Sequence, residues 1–166
     1  VMRPLLAATN GSTAPWFALI GHSHIDTAWL WTLEETWRKC ARTFSSALNL
    51  MELDPEFVFL QSAPCHAWVV RQEYPELFAR IRQRVDEGRW EPNGAMWVEP
   101  DTNLPAGESL VRQLLLGQQA TREMFGYTAD TLWLPDVFGY PATLHEIQGE
   151  SSASPLDGMI VTTPAW

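Results

Sequence analysis

The chain has 166 residues, 46% of them hydrophobic and 19% charged, an ordinary make-up for a soluble domain with one sizeable core. A formal net charge of −9 argues against nucleic acid or an anionic membrane as partner, since both require clustered Lys and Arg. No apolar run approaches the roughly 18 residues of a membrane span, and Cys40 and Cys65 show neither metal-type spacing nor a disulfide framework, so a reducing, cytoplasmic setting is expected.

Residues 1–15 read as an N-terminal extension and 16–166 as one β/α unit. Trp16-Phe17-Ala18-Leu19-Ile20 is short, apolar and preceded by Pro15, which predicts a buried strand. At its end stands Gly21-His22-Ser23-His24-Ile25-Asp26. A helix is predicted from about Thr32 to Leu53, opened by a Thr32/Glu35 capping box and closed at Asp54-Pro55. Leu33, Trp37, Ala41, Phe44, Leu48 and Met51 give its apolar face, with Glu34–Arg38 and Glu35–Lys39 paired on the wet side.

Residues 57–62 predict a second strand, followed by a helix from about Cys65 that restarts at Pro75 and ends near Gly88. Leu77, Phe78, Ile81 and Val85 form the stripe of that second part. Residues 89–91 and 96–99 predict a third strand interrupted by Pro92-Asn93-Gly94. A helix over residues 107–125 buries Leu110, Val111, Leu114, Leu115 and Phe125; residues 131–135 then form a fourth strand ending at Asp136. Pro141 opens a short helix to about Gln148, a polar loop spans 149–155, and 159–162 make a fifth strand. Apolar strands separated by helices imply an α/β fold with a parallel sheet, whose functional groups gather at the carboxyl ends of the strands.

His24, Asp26, Glu99, Asp101 and Asp136 all fall at such ends. In an extended backbone His22, His24 and Asp26 share one side, so imidazole and carboxylate can meet on one divalent ion. A mixed nitrogen and oxygen set suits zinc, cobalt or manganese better than calcium. Either His22 or His24 can be the nitrogen ligand. Asp136, among apolar neighbours, reads either as a helix cap or as a carboxylate that needs a cation beside it. Glu99 and Asp101 read first as structural acids with Arg112 as an available partner.

Four stretches in order, GHSHIDTAWLW at 21–31, RKCARTFSSALNLME at 38–52, YPELFARIRQRVDEGRWEPNGAMWVEPDTNLPAGESLVRQ at 74–113 and LWLPDVFGYPATL at 132–144, resemble glycoside hydrolase family 38, the retaining α-mannosidases, in their cytosolic and bacterial-type branch. The resemblance implies part of a seven-stranded (β/α) barrel-like catalytic domain over residues 16–166. It implies a zinc or cobalt ion on His24 and Asp26, with Asp136 as nucleophile and further metal ligand. Trp29 and Phe138 would line the bound mannose, and His22, Glu99 and Asp101 would stand behind the ligands in support. The implied substrate is an α-mannoside oligosaccharide, selected through the cis 2- and 3-hydroxyls of mannose.

The family's fourth ligand, a histidine, and its acid/base aspartate lie downstream of the matched region. The chain opens at Val1, so a piece of a longer enzyme is expected, inactive by itself and prone to associate through an open sheet edge, possible homo-oligomer included. His66 and His145 fall on no family position. The alternatives are a catalytically silent fragment with residual metal or sugar binding, or a metal-dependent carbohydrate deacetylase.

Overall fold

The structure, a computed structural model, describes residues 19–144 together with 7, 9, 11–14, 146, 147 and 158–161, the last four by backbone alone. Its elements in chain order are β1 (Gly21–His22), α1 (Leu33–Leu53), β2 (Phe59–Leu60), α2 (Pro64–Glu73), α3 (Pro75–Asp86), β3 (Trp90–Glu91), α4 (Gly107–Phe125), β4 (Thr131–Leu134) and β5 (Gly158–Val161). The strands form two parallel ladders, β1-β2-β3 and β4-β5, joined by a single bridge between Gly94 and Leu132. The parallel α/β architecture expected from sequence is therefore present, with five strands among the described residues, as the order of predicted elements required. No helix among the described residues is long and apolar enough to cross a membrane.

The helices keep close to their expected extents, and the strands are shorter than their apolar runs. Of the first run, Trp16, Phe17 and Ala18 lie outside the described residues, while Leu19 is 94% exposed and Ile20 48% exposed, so pairing begins only at Gly21. Residues 96–99 do not continue β3 but bend across α4. The cause is visible at Gly117, where a Cβ would stand 2.1 Å from the carbonyl oxygen of Ala95, so helix and bend touch backbone to backbone. The loop and helix expected over 148–157 fall outside the described residues. Leu144, Glu146 and Ile147 are helical as expected after Pro141.

Two apolar clusters hold these layers. One packs Phe44, Leu48 and Met51 of α1 with Val70, Phe78 and Ile81 against Phe59 and Trp90; the Phe44 and Trp90 rings meet edge to face at 5.2 Å. The other gathers Met96, Leu110, Leu114, Leu132, Leu134, Val137 and Leu144 under β4. On α1 the buried face is Thr36, Cys40, Phe44, Ala47, Leu48 and Met51, not the expected Leu33–Trp37–Ala41 edge, and Leu33 is half exposed. Thr36 turns inward because its hydroxyl donates to the Asp26 carbonyl at 3.0 Å and accepts from Trp31 Nε1 at 2.9 Å. Thr32 occupies the cap position without a side-chain bond, so the capping box does not form; its carbonyl instead accepts from the Glu35 and Thr36 amides. Glu34 pairs with Arg38 as expected, whereas Lys39 sits over the Trp31 ring at 4.4 Å and Glu35 turns to Arg42.

Candidate metal centre

The functional groups of interest sit beyond the carboxyl ends of the strands, Glu99 on the bend that follows β3. β1 delivers His24 and Asp26, β2 delivers Ser62, the segment after β3 delivers Glu99, and β4 delivers Asp136. His24 Nε2 lies 3.1 Å from Asp26 Oδ1 and 3.5 Å from Asp136 Oδ2. One donor atom from each of the three residues falls within 4.8 Å of the others. One imidazole nitrogen and two carboxylate oxygens at that spacing fit a zinc-class divalent ion, to which they would contribute three of its ligands.

The opposite edge of the His24 ring is engaged as well. Nδ1 stands 2.5 Å from Glu99 Oε2, and Glu99 Oε1 accepts the Ser62 hydroxyl. Ser62 Oγ is in turn 3.1 Å from His22 Nε2. The Glu99 bond is the main cause that raises the His24 pKa to about 9, opposed by burial and assisted by Asp26. A divalent ion at the same donor atoms would take the place of that extra proton. Burial holds His22 below its ordinary value, so it is a neutral hydrogen-bonding ring and not a second cation.

The three residues placed on one metal by the sequence, His24, Asp26 and Asp136, are brought together. His22 and Glu99 stand behind them. Asp101 does not join: it is exposed and its carboxylate accepts the backbone N–H groups of Asn103 and Leu104. Arg112, the expected partner of these acids, instead bonds Glu108 one turn earlier on α4. Asp136 is also more open than its apolar neighbours suggested, with its side chain 44% exposed, because Val137 takes the buried position in the turn after β4. Trp29 and Phe138 present 67% and 66% of their surfaces beside this mouth of the sheet. A polar depression lined by Ser23, Trp31, Lys39, Arg42 and Thr43 adjoins Asp26.

Two members of the arrangement were not singled out by sequence. Ser62 marked only the end of a predicted strand, and that position was the available signal. His66, which matched no motif, is fully buried, bonded to the Thr27 hydroxyl at 2.7 Å and to Gln61 at 3.3 Å, and pushed down to about 4 by burial. His145 lies outside the described side chains.

The chain matches known proteins over most of its length. The profile of the glycosyl hydrolases family 38 N-terminal domain matches residues 16–156. The chain is 50% identical over 127 residues to alpha-mannosidase 2C1 of Homo sapiens and 41% identical over 130 residues to the alpha-mannosidase of Saccharomyces cerevisiae. Those matches cover 76% and 77% of this chain but 12% of either relative, so the chain spans about an eighth of their length. An alpha-mannosidase from Enterococcus faecalis V583 superposes with a TM-score of 0.73 at 25% identity, over 86% of this chain and 16% of that one.

Proposed function

We propose, because this chain belongs to glycosyl hydrolase family 38, that it supplies the metal centre and the nucleophile of a retaining α-mannosidase. The observation that carries the reading is the convergence of His24, Asp26 and Asp136 within 4.8 Å at the strand ends. Within the whole protein the five parallel strands would belong to a seven-stranded barrel-like catalytic domain. When bound, a divalent ion (zinc, or cobalt) supplies charge stabilisation and an anchor for vicinal sugar hydroxyls.

The chain's own residues divide the remaining work. Trp29 and Phe138, both largely exposed, offer apolar faces against which the C–H groups of a pyranose ring can pack. The Asp136 carboxylate attacks the anomeric carbon and displaces the aglycone oxygen, which takes a proton from a second carboxylic acid. Water then cleaves the mannosyl ester on Asp136, giving net retention through two inversions. Neither near carboxylate suits the acid role, since Asp26 belongs to the donor set and Glu99 is held by Ser62 and His24. The acid must come from elsewhere in the protein, about 5–5.5 Å from Asp136.

The test is hydrolysis of an aryl α-mannoside by the full-length protein, followed by NMR of the first-formed sugar. The α-anomer is expected first, and Asp136→Asn should lower kcat by about 10⁴-fold or more. Initial release of the β-anomer, or near-normal turnover by the variant, would show that Asp136 is not a nucleophile.

A further inference from the structure

Glu99 is only 6% exposed, and both of its oxygens are committed. Oε2 faces His24 Nδ1 at 2.5 Å, and Oε1 accepts the hydroxyl of Ser62, a residue 1% exposed. Ser62 Oγ has His22 Nε2 behind it at 3.1 Å. Ser62 is itself clamped by Gly94, where a Cβ would lie 2.2 Å from the Ser62 carbonyl oxygen. Four side chains, from the ends of β1 and β2 and from the bend after β3, thus form one line ending on a single imidazole edge.

We propose that Glu99 is a positioning residue for the metal centre: anchored by Ser62 and His22, it accepts the Nδ1–H of His24 and so fixes the ring with Nε2 towards Asp26 and Asp136, the nitrogen whose proton an incoming ion displaces. The proposal rests on the reading of His24, Asp26 and Asp136 as a metal site. A neutral imidazole carries one donor and one acceptor nitrogen, and the bond made by one nitrogen decides the state of the other. Without Glu99, the favourable tautomer for His24 is the reverse, with Nε2–H donating to Asp26 3.1 Å away. That tautomer turns its lone pair away from Asp26 and Asp136, so part of the binding energy would be spent in moving the proton.

The donors are ordered consistently along the line. The His22 Nε2–H points to the Ser62 oxygen, the Ser62 O–H to Glu99, and the His24 Nδ1–H to Glu99 from the other side. Glu99 therefore receives hydrogen bonds from both directions. The same line gives His22 a purpose: it fixes the rotor of Ser62 and does not ligate.

Zinc affinity of the demetallated full-length protein, measured in competition with a chelator of known affinity, tests the assignment. The melting temperature of the apo-protein is recorded alongside. Glu99→Gln is expected to weaken zinc binding about 10- to 100-fold while shifting the apo melting temperature by less than about 3 °C. Ser62→Ala, which keeps the carboxylate but removes its anchor, should weaken binding by about fivefold, and it carries the test if Glu99→Gln does not fold. Zinc affinity within about twofold of the parent in both variants would overturn the proposal, as would a fall in apo stability with affinity unchanged. Failure of the parent protein to bind zinc is a different result, which overturns the metal-site reading and the positioning role together.

Discussion

His66 is held neutral by burial, its Nε2–H donating to Thr27 and its Nδ1 accepting from Gln61. With its folded value near 4 and an ordinary value of 6.5, the unfolded chain binds more protons than the native one between those pH values. The stability it contributes is therefore complete above pH 6.5 and is lost progressively as pH falls towards 4, roughly 3 kcal/mol in all. Thermal melts of the protein should show this loss, and His66→Gln should flatten it; equal slopes in both proteins would assign the acid sensitivity elsewhere. Cys40 and Cys65 are likewise buried, with burial pushing both thiols up to about 12. Neither should react with a disulfide reagent at pH 8 until the chain unfolds, a difference read directly by thiol titration with and without denaturant.

At this scale the donor set was legible from strand ends: His24 and Asp26 lie two residues apart after one apolar run, and Asp136 closes another. The Glu99 contacts were not, because they join positions 75 and 37 residues apart. Such pairings depend on the order in which strands lie side by side, which residue spacing does not encode. Asp101 shows the converse. It too is an acid, two positions from Glu99, yet it serves only its own turn.

Among the elements, α4 is the one whose extent sequence placed best, from Gly107 to a left-handed Gly126, because the glycine stop agrees; of its expected stripe Leu110 and Leu114 are buried, whereas Leu115 is half exposed and Val111 and Phe125 are only partly covered. On α1 the extent was legible and the facing was not. Thr36 is polar, so apolar periodicity passed it over, yet its hydroxyl ties the helix to the backbone of Asp26. The strands were overestimated because apolar runs record burial from helices as well as pairing. The bend after β3 depends on close approach, and two glycines permit it. Gly117→Ala should destabilise the protein by about 1–3 kcal/mol, since its new Cβ meets the Ala95 carbonyl and not a movable side chain. Gly94→Ala should cost at least as much, because φ is +147° there and the Cβ would strike Ser62. Urea denaturation gives both values; a neutral result at Gly117 would mean that α4 can retreat from the bend without penalty.

Among the described residues the two ladders share one backbone bridge, Gly94 to Leu132, and the donor set spans the same gap. His24 and Asp26 come from the β1 side and Asp136 from the β4 side. An ion held by all three ties the ladders together, so removing it should loosen the fold as well as silence the site. Free zinc at 100 times its dissociation constant should add about 2.7 kcal/mol of stability, read as a chelator-reversible rise in melting temperature. No change on chelation would mean that the three groups do not hold the ion jointly.

The most direct measurement of the central claim is covalent trapping. Full-length protein treated with a slow-reacting fluorinated α-mannosyl fluoride and digested for mass spectrometry should carry one fluoromannosyl group on the peptide containing Asp136. The same sugar on a different carboxylate, or unmodified protein that still turns the reagent over, would contradict the assignment of Asp136 as nucleophile.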